Sequence, residues 1–395
     1  MVKKKQYWFV SEFYKPVNNA TGRIITEIIE EFSKQQTANV LTVGKYDDND
    51  KSICVHRVKD VNANKNKLLS RIKKLTIISL RLGWQMFSKV KSGDTVVVVT
   101  NPAPILLFTA FLSKIRSIKI VILVHDVFPE NLLVAKLSKE GDLKYKISKK
   151  IFDWAYRSAD LLITCGRDME KIIRAKTNNK VPTKTIQNFV TVDNLYHVEK
   201  TKNKILLDLG ISDKFIVLFT GNIGRMQNVS SLLSAAKILS HDTNIVFLFI
   251  GDGAEDTLVE EYIRNSTVKN VYRVGYMPQS EAISFLNAGD IGVASLLPNI
   301  MGVGVPSKSY AYLATEIPIL AVMDKDSEVA LMVQEHNIGW NAPADNPSNL
   351  AELILEIKNN PDDLRIKSRN AKHISENEFS KERLKAQFVS AIINV

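Results

Sequence analysis

The sequence predicts an α/β protein made of two doubly wound domains, each a parallel sheet flanked by helices. Three observations point there. At 395 residues the chain is long enough to bury two cores of ordinary size. Short apolar runs rich in Val and Ile alternate with longer amphipathic stretches, and the series occurs twice. The runs are continuous rather than strictly alternating, which marks strands covered on both faces, as in parallel sheets.

In the first half the predicted strands are YWFV (7–10), NVLTVG (39–44), TVVVVT (95–100), KIVILVH (119–125) and DLLITC (160–165). In the second they are FIVLFTG (215–221), IVFLFIG (245–251), NVYRVG (270–275), DIGVASL (290–296) and PILAV (318–322). Stretches between them, such as 21–36 and 229–240, carry helical spacing. Residues 188–205 carry neither period and turn polar, so they form the junction. The expected domains are 1–195 and 205–372, with a last helical stretch, 376–395, packing back on the first.

Composition narrows the class. With 45% hydrophobic and 24% charged residues, the chain reads as globular rather than disordered. Cys54 and Cys165 form no CxxC pair, so neither a disulfide framework nor a zinc site is expected, and a reducing cytoplasm suits them. The basic start MVKKK leads into an apolar run of four residues that Glu12 soon follows, too short for a secretory segment. The apolar region from Thr95 to Leu112 is broken by Asn101-Pro102-Ala103-Pro104, where a membrane span would need about 20 continuous apolar residues. Residues 1–200 hold 35 Lys and Arg against 19 Asp and Glu, while residues 201–395 hold 18 against 23. That asymmetry predicts an anionic partner for the first half.

In doubly wound sheets ligands bind beyond the carboxyl ends of the strands, and several polar groups fall there. Gly221, Asn222, Gly224 and Arg225 follow FIVLFT and precede a helix, where glycines let the backbone approach phosphates. Their G-x-x-G spacing is neither the dinucleotide nor the Walker pattern, and a tight turn explains it equally well. Gly251-Asp252-Gly253 follows IVFLFI, with a capped turn as the plainer reading. His125-Asp126 ends KIVILV, with Glu130 shortly after; a histidine bonded to its own loop is the alternative. Asn19, Thr21 and Gly22 follow the first strand and suit either a substrate approach or a helix cap. Asp324-Lys325-Asp326 has a D-x-D shape but reads as a solvated turn, and no metal is expected. In Pro306-Ser307-Lys308 a lysine stands in a first helical turn, where it opposes the helix dipole, so something at that helix start must make a positive charge welcome.

In this order, Pro16 through Gly22, NPAP (101–104), HDVFPE (125–130), GNIGRMQN (221–228), GDG (251–253), NAGDIGVASL (287–296) and VPSKSYAYLA (305–314) resemble the retaining glycosyltransferases of family 4. Their fold, GT-B, places two Rossmann-like domains across a cleft, the first for the acceptor and the second for the nucleotide-sugar. The resemblance is closest to bacterial O-antigen and capsule enzymes similar to N-acetylfucosaminyl transferases. It implies that Lys308 faces the diphosphate of a UDP-sugar, with Ser307 and nearby amides donating to the same oxygens. Pro306, Gly221, Asn222, Gly224, Gly251 and Gly253 would join the donor site. Arg225 and Lys308 would stabilise charge on the departing diphosphate, and His125 would contact the transferring sugar. Gly22 would let the first loop approach the donor phosphate, with Asn19, Thr21, Asp126 and Glu130 toward the acceptor. The implied reaction keeps the anomeric configuration and uses no metal and no cofactor.

Three departures stand out. The family's Glu-x7-Glu acids fall on Val303 and Ala311 here, so the ribose contact is not implied. Glu316 stands where the family has glycine. The family's arginine and lysine near Asn222 and Gln227 are missing, which leaves Arg225 to compensate.

Two other functions fit parts of the sequence: a nucleotide-sugar 2-epimerase of the same fold, and a basic nucleic-acid-binding protein. The second lacks any helix-turn-helix, RNP or zinc-finger pattern. Residues 65–91 hold eight Lys or Arg and no acid, with Leu68, Ile72, Leu75, Leu82 and Met86 at helical spacing. This stretch reads equally as a helix packing its apolar stripe on the first sheet with solvated charges, and as contact with an anionic membrane surface through cations including Lys67, Arg71, Lys73 and Lys74. Both hold at once if the stripe faces the core and the lysines the bilayer. Polyprenyl-diphosphate-linked saccharides, the acceptors implied by the resemblance, are held at the inner face of the cell membrane.

Overall fold

A computed structural model describes residues 5–16, 19–45, 52–63, 68–134, 137–267 and 269–395. The chain divides into two compact units, Met1–Thr191 with Gly302–Gly304 and Lys381–Val395, and Val192–Met301 with Val305–Ser380.

The first unit runs β1 (Tyr7–Val10), α1 (Ala20–Ser33), β2 (Ala38–Val43), β3 (Ile53–Val58), α2 (Leu68–Lys89) and β4 (Thr95–Val99). It continues with α3 (Ile105–Ile115), β5 (Lys119–Val124), α4 (Glu130–Val134), α5 (Leu143–Arg157), β6 (Leu161–Thr164), α6 (Arg167–Lys176) and β7 (Thr183–Thr185). All strands are parallel, in the order β3-β2-β1-β4-β5-β6-β7. The order reverses between β1 and β4, the place where such sheets bind ligands. Right-handed crossovers send the leftward α1 to one face and the rightward α2, α3, α5 and α6 to the other. Helix neighbours agree: α2 packs on α3, α3 on α5 and α5 on α6. Covered on both sides, β4 buries every side chain of TVVVV. Each such Val adds about 1.5–3 kcal/mol over an exposed one.

The second unit runs α7 (Lys204–Leu209), β8 (Phe215–Thr220), α8 (Val229–Ile238), β9 (Ile245–Ile250), α9 (Asp256–Asn265), β10 (Val271–Val274), α10 (Ala282–Leu286) and β11 (Ile291–Ser295). Then come α11 (Lys308–Ala314), β12 (Ile319–Val322), α12 (Glu328–His336), β13 (Gly339–Ala342), α13 (Pro347–Asn359) and α14 (Pro361–Asn377). This sheet is also parallel, ordered β10-β9-β8-β11-β12-β13, and reverses between β8 and β11. The final helix, α15 (Lys381–Ile393), belongs to the first unit, where it packs on α1. Its Lys385 pairs with Glu27 at 3.2 Å and Glu31 at 3.3 Å.

The expected strands all form. The sequence reading omitted β3, β7 and β13, and each is an edge strand. Edges have only one neighbour and less cover, so TKT and GWNA suffice without a Val/Ile run. The stretch expected as one helix from 376 is two: its first residues end α14, and the chain restarts at Lys381. Glu316, where the resemblance implies glycine, adopts the left-handed conformation with φ +63° just after α11. Its carbonyl accepts from Ser368 Oγ and its carboxylate pairs with Lys372 at 2.7 Å.

Candidate functional site

In the second unit, the loops after β8 and β9 are locked together through their backbones. Ile223 N–H donates to Asp252 O at 2.9 Å, and Glu255 N–H donates to Ile223 O at 2.9 Å. The fit leaves no room for side chains. A Cβ on Gly253 would lie 2.1 Å from Ile223 O, and one on Gly251, where φ is +138°, would lie 2.0 Å from Gly221 O. Gly251 and Gly253 therefore shape the loop of Gly221, Asn222 and Gly224 from behind. The expected capping role of Asp252 is not what forms. Its Oδ1 accepts from Tyr276 N–H at 3.1 Å and pairs with Arg273 at 3.4 Å. In front, the Asn222 and Gln227 side chains converge over Gly224, whose Cβ would meet them at 2.5 and 2.6 Å. Gln227 Oε1 is buried without a hydrogen-bond partner. Arg225 is exposed and makes no hydrogen bond or ion pair among the described residues.

Pro306 and Ser307 lead into α11, a short helix of seven residues whose dipole is correspondingly slight. Ser307 makes no capping hydrogen bond. The stem of Lys308 is partly exposed, but its ammonium is buried and finds no hydrogen-bond acceptor. It sits 3.2 Å from the centroid of the Phe219 ring, on β8. Burial holds its pKa well below the ordinary lysine value. One turn on, the buried Tyr312 hydroxyl accepts from Thr220 N–H at 2.9 Å and from Thr220 Oγ1 at 3.0 Å. This bond ties α11 to the last residue of β8. It escaped the sequence reading because a tyrosine in an apolar helix looks like core, and Gly292, whose Cβ would strike the Tyr312 ring at 2.5 Å, gave no separate signal.

In the first unit, His125 and Asp126 follow β5. Their N–H groups both donate to Thr100 Oγ1, at 3.1 Å each, just beyond β4. Both residues are partly exposed, yet burial of their ionisable groups away from water depresses the imidazole pKa to about 4 and raises that of Asp126. His125 is thus neutral over the physiological range. Glu130 is committed: Lys176 Nζ reaches its two oxygens at 2.7 and 2.8 Å, and Asp153 at 2.7 Å. Asn19 caps α1, its Oδ1 accepting from Gly22 N–H at 2.7 Å, so that amide is taken; Thr21 is half-buried in the same turn. Asp324 accepts from Asn299 N–H at 2.9 Å.

The sequence matches the family Glycosyl transferases group 1 over residues 202–374, the part that carries the loop after β8 and Lys308. The probable glycosyltransferase WbjE of Pseudomonas aeruginosa is 33% identical over 353 residues, 88% of either chain. The chain belongs to the group 1 glycosyltransferases. As a glycosyltransferase it also shares its fold with solved structures. HepE of Anabaena, in complex with UDP-glucose, matches with a TM-score of 0.70 at 16% identity, over 99% of this chain and 100% of that one. WaaG, a glycosyltransferase involved in lipopolysaccharide biosynthesis, matches with a TM-score of 0.68 at 14% identity, over 98% and 100%. The two Rossmann-like sheets are those of the GT-B class. Neither the epimerase nor the nucleic-acid reading is favoured by these likenesses.

Proposed function

We propose that this glycosyltransferase moves a sugar from a UDP-sugar to a polyprenyl-diphosphate-linked saccharide, with retention of the anomeric configuration. The product would enter a bacterial surface polysaccharide of the O-antigen or capsule type, made at the inner face of the cell membrane. The observation that carries the donor half is the Lys308 ammonium, buried over Phe219 without an acceptor oxygen. A diphosphate would supply that oxygen and the opposite charge. Cleaving the sugar–phosphate bond leaves negative charge on the departing diphosphate, and a cation already stripped of water stabilises it where it develops. Arg225, exposed on the loop after β8, is the second cation, and Ser307, uncommitted in the structure, is an available donor. In this reading the chain's own cations serve the diphosphate, and the reaction takes no metal or cofactor. His125, held neutral, donates or accepts a hydrogen bond at the sugar without carrying charge. The family, the UDP-glucose held by HepE and the role printed for WaaG support the substrate classes.

The test is a panel of UDP- and GDP-sugars with a lipid-diphosphate acceptor, with and without EDTA, and NMR of the disaccharide. Transfer with retention in EDTA is expected. An inverted product or a requirement for metal would overturn the mechanism, and donor epimerised without transfer would overturn the activity.

A further inference from the structure

Three neighbouring helices of the first unit each bury one apolar face and expose another. On α5, Tyr145, Ala155 and Tyr156 are buried, while Leu143, Ile147, Ile151 and Trp154 recur at helical spacing and are exposed, Leu143 by 73%. On α3, Phe111 and Ile115 are exposed four residues apart, and on α2 so are Leu80 and Trp84, the latter by 75%. α3 lies between the other two, with the Phe87 and Phe111 rings 6.0 Å apart across one seam. The stripes therefore share one helix layer. No described residue covers them, and exposed apolar patches of this kind mark interaction surfaces.

Charge says what covers them. The three helices carry eleven Lys or Arg and one acid, Asp153, which is paired with Lys149 at 3.0 Å and Lys176 at 2.7 Å. Lys73, Lys114, Lys144, Lys146 and Lys150 are exposed and make no ion pair among the described residues. A second copy would bring the same cations to the seam, whereas an anionic bilayer complements them. Structure also redirects the expectation placed on residues 65–91. Lys67 lies outside the described residues, as does the side chain of Arg71, and Lys74 turns to Asp60 at 3.1 Å and Glu12 at 3.7 Å.

We infer that α2, α3 and α5 together form a bilayer-docking surface, whose apolar stripes enter the headgroup–acyl boundary while the flanking lysines meet lipid phosphates. This locates the attachment that the proposed lipid-linked acceptor calls for. Binding is read without turnover, so either idea can fail alone.

The test uses the full chain with phosphatidylcholine vesicles, with and without phosphatidylglycerol, some carrying brominated acyl chains. Binding to the anionic vesicles only is expected, with brominated lipid quenching Trp84 and Trp154, since Trp8 is buried and Trp340 is bonded to Asp363. Two triple variants, Leu143→Ser/Ile147→Ser/Ile151→Ser and Lys144→Glu/Lys146→Glu/Lys150→Glu, should each weaken partition at least about tenfold. Thermal unfolding and hydrolysis of soluble donor should be unchanged in both. Absence of quenching, equal binding to neutral vesicles, or a dimer in sedimentation equilibrium that the serine variant breaks would each overturn the assignment.

Discussion

Folding withdraws the Lys308 ammonium from water and gives it the Phe219 ring instead of an oxygen. Its folded pKa is lowered by burial, so between that value and the unfolded one the unfolded chain binds more protons. Stability should therefore rise with pH across that window. A diphosphate bound there, as proposed, would reverse the shift. In the window between its folded value and the ordinary lysine value, UDP binding should take up protons, seen as a calorimetric heat that varies with buffer ionisation enthalpy and ceases to vary in Lys308→Met. Turnover of Lys308→Ala should fall by roughly ten- to a thousandfold with folding intact; unchanged turnover at saturating donor would leave the lysine without a role. His125 differs, because its pKa of about 4 lies below that of a free histidine. Protons favour the unfolded chain as pH falls from about 6.5 toward 4. His125→Asn should lessen that acid loss in melts across the same range. At Glu316 the left-handed backbone costs an L-residue about 1–2 kcal/mol, against a solvent-screened ion pair with the exposed Lys372. Glu316→Gly is expected to stabilise by up to about 1 kcal/mol in urea unfolding, and a loss would show that the pair dominates.

Among the elements, α11 and β8 behave as one piece through Tyr312. Its hydroxyl accepts both polar hydrogens of Thr220 and donates to Leu218 O at 3.4 Å, all in a buried setting that pushes its pKa up. Tyr312→Phe keeps the ring against Gly292 but leaves the Thr220 N–H unpaired, a cost of about 1–3 kcal/mol. Because α11 begins with Lys308, the variant should also weaken UDP binding while far-UV circular dichroism is retained. A normal dissociation constant would mean that α11 is held by its apolar packing alone. The loops after β8 and β9 obey the same logic, since their shape comes from backbone hydrogen bonds and missing Cβ atoms rather than from any reactive side chain.

At the scale of the molecule, each unit has its own parallel sheet and its own reversal of strand order. The group 1 match and Lys308 both lie in the second. A ligand bound only by the folded state stabilises by mass action, about 2.7 kcal/mol at a hundredfold excess over its dissociation constant. Saturating UDP should accordingly raise the unfolding midpoint in scanning calorimetry, and Lys308→Ala should abolish the rise. An equal shift in the variant would place the nucleotide elsewhere.

How much of this was legible beforehand depends on range. Continuous runs such as TVVVV and IVFLFI are explained only by cover on both faces, so the sequence by itself determined a parallel α/β architecture repeated twice. Edge strands stayed hidden because half-covered backbone demands little of its side chains, as TKT shows. Short motifs at strand ends pointed to His125, the loop of Gly221 and Gly224, and Lys308 as candidates, because ligand sites in these sheets follow strand order. Their partners are far apart in sequence. Only the tertiary structure committed Glu130 to Lys176, placed Lys308 over Phe219, and joined Tyr312 to Thr220. It alone, too, separated the apolar stripes that enter the core from those on α2, α3 and α5 that stay exposed. Helical periodicity records that a face is apolar, whereas what covers that face is fixed by packing between distant segments.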